Sequence, residues 1–510
     1  SYQEIYVIID TESVSSQTVF GVRQLCFFMS KAKDSSEPDF DVDSKFTEYC
    51  EKDDILPTTF NDDLLLDEAR GIITSIFSDF DPDDLQGRFG PGSVNNCPFS
   101  QRYVCEVPAN HVGYQIFRNS DHFDLDMFRV RPNNHFDYFR RSQKLRSEFL
   151  LVPKDIRGPR TICREAAWNQ FHQQSLRRYM ERAIQFSPIA GGFVNFADQS
   201  INANLALIGS SLRNLATIDL KDASDRITLG LVESLFRDTQ LLDHMMLSRS
   251  QMVFSGDHEH RLKKWAPMGS AICFTTLSVT IFALLKAASN LLSQDNIIYV
   301  YGDDIVISND FADIATKVLE KYGLLVNSNK SYSLSSFRES CGTDAYKGDN
   351  VTPVRLRDVN DGNVDTRLAG YSATSHLLYN RGLFETSYSL IQWMRSITFQ
   401  GGRVLPGKVD SPYISYPHQF NFGERWKPMV DVDRQALVYS RKGLILRDRT
   451  INSPESESAF YYRVKYPQLV KRVDDLMRDP DKNIELSHER LSIRDILLRS
   501  SVVEVHWDCV

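Results

Sequence analysis

Ile297-Ile298-Tyr299-Val300-Tyr301-Gly302-Asp303-Asp304-Ile305-Val306-Ile307-Ser308 is a pair of β-rich apolar runs broken by one glycine and two aspartates. β-Branched and aromatic residues on both sides of Gly302-Asp303-Asp304 predict a hairpin with the glycine at the tight turn. Two adjacent carboxylates at the exposed end of two apolar strands repel each other and raise each other's pKa unless a cation sits beside them. Aspartate oxygens together with water suit Mg²⁺ or Mn²⁺. A solvated turn is the ordinary use of a Gly-Asp pair, so the turn taken alone leaves both readings open.

Working outward, Leu215-Ala216-Thr217-Ile218-Asp219-Leu220 reads as a buried strand that ends on a carboxylate, with Asp222 and Asp225 just beyond. If this strand and the hairpin are neighbours in one sheet, Asp219 faces the Asp303-Asp304 turn, and the three carboxylates can hold two metals. An isolated aspartate in such a place is more ordinarily a helix cap or a turn residue. A helix is expected over 228–242. Pro267-Met268-Gly269-Ser270 opens a long helix over 270–292 that is apolar around most of its circumference and therefore buried. There a glycine lets the backbone approach a ligand, and the helix start can face an anion or a ribose hydroxyl; a plain helix start with Ser270 as N-cap is the alternative. Residues 311–322 form an amphipathic helix stopped by Gly323. Strands alternating with helices, plus one hairpin, give an α+β core.

Upstream, Val152-Pro153-Lys154-Asp155-Ile156-Arg157-Gly158-Pro159-Arg160-Thr161-Ile162-Cys163-Arg164-Glu165 sets four cations among glycine and prolines. That suits a loop or ribbon contacting phosphates, although a charge run is also an ordinary solvated face. Residues 161–182 look helical, and the Gly/Pro-rich stretch 87–93 reads as a loop. The whole chain of 510 residues has a net charge of -8, which by itself speaks against a nucleic-acid protein. The average conceals an asymmetry: residues 31–85 carry 17 acidic and 5 basic side chains, whereas residues 139–182 carry 11 basic and 4 acidic ones. A basic groove beside an acidic outer lobe is compatible with this sequence. With 42% hydrophobic and 25% charged residues, a disordered chain, a collagen-like repeat and a small disulfide scaffold are excluded. The eight cysteines form no CxxC pair and read as isolated, mostly buried thiols of a reducing compartment. The chain start lacks the positive residues of a secretory signal, and the apolar stretch 271–285 is short for a bilayer. A soluble cytosolic protein is expected. The last 150 residues carry no motif legible for chemistry.

Taken in order, these segments resemble a palm-type RNA-directed RNA polymerase, and more closely the replicase catalytic subunit of the single-stranded RNA bacteriophages, the levivirus group. The likeness rests on the basic ribbon 152–165, Asp198-Gln199-Ser200-Ile201-Asn202, Ala216–Leu220 running into Ala223-Ser224-Asp225, Met268-Gly269, the Tyr301–Asp304 turn and Phe337-Arg338-Glu339-Ser340-Cys341-Gly342. It covers roughly residues 87–350. The resemblance implies a right-hand polymerase with an antiparallel-sheet palm: an acidic N-terminal region over 1–85, fingers over 86–210, palm over 211–360, and thumb with the C-terminal region over 361–510. It implies that Asp219, Asp303 and Asp304 ligate two Mg²⁺ ions, for which Mn²⁺ can substitute, and that Lys330 protonates the pyrophosphate leaving group. Lys154, Arg157, Arg160 and Arg164 would hold the triphosphate. Asp225, with Gly269 and Ser270, would sense the ribose, and Phe337, Arg338 and Glu339 would support the nascent strand end. RNA template and product, nucleoside triphosphates, and host elongation factors Tu and Ts with a ribosomal small-subunit protein are the implied partners, in the cytoplasm of a bacterial host. Lys221 and Asp222 stand where the family pattern has small residues, and Ser270-Ala271 where it has Asn-Gly, so ribose recognition departs in detail. A reverse transcriptase would favour a bulky residue at Asp225 and another residue than glycine before the aspartate pair. A non-catalytic RNA-binding protein would account for the basic run but not for three carboxylates arranged for metal.

Overall fold

The computed structural model describes residues 14–30, 40–85, 90, 92–95, 146–155, 158–356, 364–397, 405–407, 415–417, 427–431, 436–452 and 492–506. In chain order the principal elements are α1 (Ser16–Phe27), α2 (Val42–Asp54), α3 (Leu64–Ile76), β1 (Arg146–Asp155), β2 (Gly158–Arg164), α4 (Ala167–Phe186) and α5 (Ser200–Leu212). Then come β3 (Leu215–Ile218), β4 (Leu220–Lys221), α6 (Ala223–Arg226), α7 (Leu229–Phe236), α8 (Leu241–Leu247), β5 (Met252–Ser255), β6 (His258–Arg261) and α9 (Cys273–Leu291). They are followed by β7 (Ile298–Tyr301), β8 (Asp304–Ser308), α10 (Ala312–Lys321), β9 (Leu325–Val326), β10 (Phe337–Ser340), β11 (Thr343–Tyr346), β12 (Asp349–Asn350), α11 (Val364–Asn380) and α12 (Phe384–Ile397). Further strands at Lys427–Asp431, Ala436–Asn452 and Ser492–His506 form a separate antiparallel sheet. The chain is α+β, as expected.

The central sheet has the order β3-β8-β7 and is antiparallel throughout. Ala216, Ile218, Val300, Ile305, Val306 and Ile307 on its strands are buried, which is why β-branched residues run along both faces. Neither edge is left open. Thr217 exchanges backbone hydrogen bonds with Tyr332 at 3.0 and 2.8 Å on one side, and Val300 pairs with Phe193 and Asn195 on the other. Covered edges prevent further strand addition. Helix α9 lies beneath the sheet, in contact with β7, and packs against α3 and α10. By length and composition alone α9 could cross a membrane, but 78% of its most apolar window is buried inside this fold, as a core helix requires.

Helix α3 shows how the acidic N-terminal segment joins this core. Leu66, Ala69, Ile72, Ile73 and Ile76 recur at helical spacing and are buried, each large side chain stabilising by roughly 1.5–3 kcal/mol. Asp63 caps the helix, accepting from the Leu65 and Leu66 amides at 3.0 and 2.9 Å, and also pairs with Lys321 at 2.6 Å. Asp62 bridges Arg70 and Arg237 at 2.7 and 2.9 Å. Asp62 and Asp63 of the acidic segment are thus tied to Arg237 and Lys321 beyond it.

Several boundaries differ from the sequence expectation. Residues 161–164 continue β2, because Thr161-Ile162-Cys163 pairs with β1, and the helix begins at Ala167. The helix expected over 228–242 is two: α7, capped by Thr228, and α8. Helix α9 begins at Cys273, so Ser270 is not its N-cap. Of the described cysteines, Cys163 and Cys273 are buried, Cys50 and Cys341 are intermediate and Cys26 is exposed; Cys97, Cys105 and Cys509 lie outside the described residues, as does most of the 87–93 stretch.

Candidate active site

The carboxylates converge through strand register. The β3-β8 ladder ends at the Ile218–Ile305 pair, and the residues next to that pair, Asp219 and Asp304, are close enough for the Asp219 charge to raise the Asp304 carboxyl. Asp304 in turn pairs with Tyr301 across the two-residue turn Gly302-Asp303. Gly302 has φ +65°, and a Cβ there would lie 2.3 Å from Phe274 Cε2. Only glycine meets both demands of a turn with the glycine first. The Gly302 amide donates to Ser278 Oγ at 3.2 Å, tying the tip to α9.

A second hairpin meets the first. Strands β10 and β11 turn at Cys341-Gly342, both with positive φ, and Cys341 hydrogen-bonds the Asp304 carboxylate through backbone and side chain. Burial, then the charges of Asp303 and Asp219, push the Asp304 carboxyl up to about 6 against the lowering effect of Cys341. Burial, followed by Asp344, pushes Glu339 up to about 7, with Asp219 contributing in the same direction and Lys330 opposing it. Both carboxyls are raised chiefly by burial, with neighbouring carboxylates adding to the rise.

Asp219 is held from the other side. Asn327 Nδ2 donates to Asp219 Oδ2 at 2.8 Å, the Asp219 amide donates to Ser331 Oγ at 3.2 Å, and Lys330 Nζ lies 3.9 Å from Asp219 Oδ2. The 198–202 segment embraces the hairpin: buried Asn202 donates to the Asp304 carbonyl at 3.1 Å and Gln199 to the Tyr301 hydroxyl at 3.2 Å.

Of the residues expected at a nucleotide, Gly269, Ser270, Asp225, Arg160 and Arg164 are described. Gly269, with φ +120°, packs so closely on β2 that a Cβ would lie 2.1 Å from the Cys163 carbonyl; the Cys163 amide donates to the Met268 carbonyl at 2.8 Å. Ser270 is buried, and among the described residues its Oγ has no hydrogen-bond partner. Asp225 lies one short helical turn past Asp219, and its charge adds to the burial that pushes the Cys163 and Cys273 thiols up to about 12. It receives Lys264 Nζ at 3.0 Å. Arg160 is exposed on β2, while Arg164 pairs with Glu148 of β1 at 2.7 Å. The side chains of Lys154 and Arg157 lie outside the described residues.

Two of the three strand-end residues differ from expectation in their surroundings. Arg338 is fully buried and donates to the backbone carbonyls of Leu215, Ser333, Ser335 and Phe337, and burial lowers its pKa to about 10. It pins β10 to β3 and has no surface to offer a strand. Phe337 is buried beneath Tyr332 and Arg23. Asn327, Asn202 and Lys264 were not singled out from sequence; the nearest signal was the 198–202 segment, whose last residue is Asn202.

Three aspartates on two elements supply hard oxygen donors, and the rise on Asp304 comes first from burial and only then from the charges of Asp303 and Asp219; hard oxygen donors are what a divalent cation of the Mg²⁺ type takes. Among the described residues no three His, Cys, Asp or Glu side chains already stand as a closed metal-binding group, so the fit is one of donor type and shared neighbourhood.

Residues 125–365 match the family model described as RNA replicase, beta-chain. The chain is similar to the RNA-directed RNA polymerase subunit beta of Enterobacteria phage SP, 34% identical over 247 residues, covering 48% of this chain and 40% of that protein. It is similar to the RNA-directed RNA polymerase beta chain of Escherichia phage MS2, 32% identical over 206 residues, covering 40% of this chain and 37% of the relative. The subunit beta of Escherichia virus Qbeta is 30% identical over 241 residues, covering 47% and 38%. The match spans about two-fifths of the length of these relatives. The similarity to the beta chains of phage RNA-directed RNA polymerases lies in the middle of the chain.

Proposed function

We propose that this chain is the catalytic subunit of an RNA-directed RNA polymerase that replicates a single-stranded RNA phage genome, joining nucleoside triphosphates to a growing RNA 3′ end. The observation that carries this is the convergence of Asp219 with Asp303-Asp304 through the β3-β8 register. The polymerase names of the relatives support the same reading.

On this account Asp219, Asp303 and Asp304 hold two Mg²⁺ ions, which when bound neutralise charge developing on the attacking and leaving oxygens. Lys330 stands beside Asp219, where it can give a proton to the departing pyrophosphate. Arg160 and the neighbouring cations of the ribbon neutralise the β- and γ-phosphates. Asp225, beside the Gly269-Ser270 segment, accepts from the ribose hydroxyl. Asn327 and Cys341 fix the carboxylates so that they need not reorganise as charge develops. Base selection comes from pairing with the template, and binding of the template strand weakens with salt.

The right-hand arrangement follows from the same reading: fingers over 86–210, palm over 211–360 around the β3-β8-β7 sheet, thumb and C-terminal region over 361–510, and an acidic N-terminal region over 1–85 assigned to pack on fingers and thumb. Host elongation factors Tu and Ts and a ribosomal small-subunit protein are the proposed partners, in the bacterial cytoplasm. The test is primer-independent RNA synthesis on a defined template, with and without Mg²⁺ and host extract. Mg²⁺-dependent product from the wild type and none from Asp303→Asn supports the proposal; undiminished synthesis by Asp303→Asn refutes it.

A further inference from the structure

We infer that Lys264 is the positioning residue for Asp225, fixing that carboxylate as the acceptor for the ribose of the incoming nucleotide, and that the acidic N-terminal segment holds Lys264 through Asp53. This rests on the polymerase reading above and extends it to a residue and a segment outside the catalytic motifs.

Lys264 is 1% exposed. A buried ammonium is costly unless its charge is matched. Its Nζ lies 3.0 Å from Asp225 Oδ1, 3.9 Å from Asp53 Oδ1 and 3.7 Å from the centre of the Tyr49 ring. One cation is therefore shared between two carboxylates and an aromatic face. The same Asp53, with no exposed surface, accepts from the Lys263 and Lys264 amides at 2.7 and 3.0 Å and contacts His260 Nε2 at 2.9 Å. It thus fixes the backbone as well as the charge of Lys264. Residues 263–265 are in turn fastened to the loop that follows Asp225: the Leu229 amide donates to the Lys263 carbonyl at 2.9 Å and the Trp265 amide to the Ile227 carbonyl at 2.6 Å.

Asp225 emerges from this arrangement with one oxygen committed. Oδ1 takes the Lys264 hydrogen bond, the side chain keeps 25% of its surface exposed, and among the described residues no second hydrogen bond reaches the carboxylate. A carboxylate gripped through one oxygen by a buried cation presents the other in a fixed direction, as a hydroxyl acceptor requires. A 2′-deoxyribose lacks the 2′-hydroxyl that would donate to it. Discrimination by a hydrogen bond of this kind depends on the acceptor being held in place. Asp53 lies on α2, so the ribose-sensing carboxylate is positioned in part from the N-terminal region.

The test uses the full chain extending an RNA primer on an RNA template with ATP or 2′-dATP, reading kcat and KM for each. Lys264→Met should lower the ATP to 2′-dATP ratio of kcat/KM by about tenfold, chiefly through the KM for ATP. Lys264→Arg, which keeps a buried cation, should recover part of it. Lys264→Met combined with Asp225→Ala should be no less selective than Asp225→Ala alone. A parallel fall for both nucleotides, or independent losses in the double variant, overturns the inference. If Lys264→Met does not fold, Asp53→Asn carries the decision: it should lower the same ratio about threefold, and an unchanged ratio in folded protein overturns it. A wild-type chain that makes no RNA refutes the polymerase reading itself; one that makes RNA with a ratio indifferent to these variants refutes only the role of Lys264.

Discussion

Asn327 clasps Asp219 twice: its Nδ2 donates to Asp219 Oδ2 at 2.8 Å and its backbone amide donates to the Asp219 carbonyl at 2.8 Å. The second contact belongs to the backbone and survives substitution; the first sets the carboxylate rotamer. Asn327→Ala should leave the fold intact and lower RNA synthesis by about tenfold, since outer-shell partners of metal-ligating groups typically matter by 10–100-fold. The apparent Mg²⁺ requirement should rise with it. Unchanged activity and unchanged Mg²⁺ titration would show that Asp219 needs no such support.

Lys330 is 43% exposed at its side chain and sits 3.9 Å from Asp219 Oδ2. A proton donor to the leaving group acts on the chemical step. On the proposed role of Lys330 as that donor, Lys330→Ala should reduce single-turnover kcat by about 100-fold with little change in the KM for nucleotides. A rise in KM at constant kcat would instead make Lys330 a ground-state phosphate contact.

The turn glycine is constrained by conformation and by space. Gly302→Ala places a Cβ at φ +65° against Phe274, so it should cost roughly 1–3 kcal/mol of stability and abolish synthesis by displacing Asp303. Urea unfolding checks the first part. Adding Phe274→Ala should restore some stability, because it removes the clash and leaves only the backbone strain; no recovery would show that strain accounts for the whole effect.

Glu339 makes stability depend on pH. Its carboxyl is pushed from the ordinary 4.5 up to about 7, first by burial and then by Asp344. Between those values the native state binds more protons than the unfolded chain, so this group makes stability fall as pH rises from about 4.5 to about 7, and the loss is complete above that. Glu339→Gln removes the dependence and should stabilise the metal-free protein at pH 8 by a few kcal/mol, since each tenfold change in proton affinity corresponds to about 1.4 kcal/mol. Urea midpoints at pH 5 and pH 8 measure it. Equal pH slopes for wild type and variant would contradict the assignment.

The parts of the site that lie within single elements were legible in the sequence. The Tyr301–Asp304 hairpin announces itself through β-branched runs around a glycine, and the strand before Asp219 through its apolar and β-branched residues. Their adjacency was expected only as a condition, and the β3-β8 register meets it. The partners that hold the carboxylates were not legible, because Asn327 and Asp219 lie 108 residues apart and Lys264 and Asp53 lie 211 apart. An asparagine or lysine in such a place carries no local signal. Arg338 was misleading for the opposite reason: a cation beside a motif suggests a strand contact, whereas this one is buried on carbonyls. Residues 161–164 looked helical beside α4, yet pairing with β1 prevails over local propensity.

The most direct measurement is metal-directed backbone cleavage. Fe²⁺ substituted for Mg²⁺ and treated with ascorbate and peroxide generates radicals that cut the chain near the bound ion. The account predicts cuts around both Asp219 and Asp303-Asp304, competed away by Mg²⁺ and lost from both segments together in Asp303→Asn. Cutting confined to one segment, or cutting at both that persists in Asp303→Asn, would contradict a shared site built from two strands.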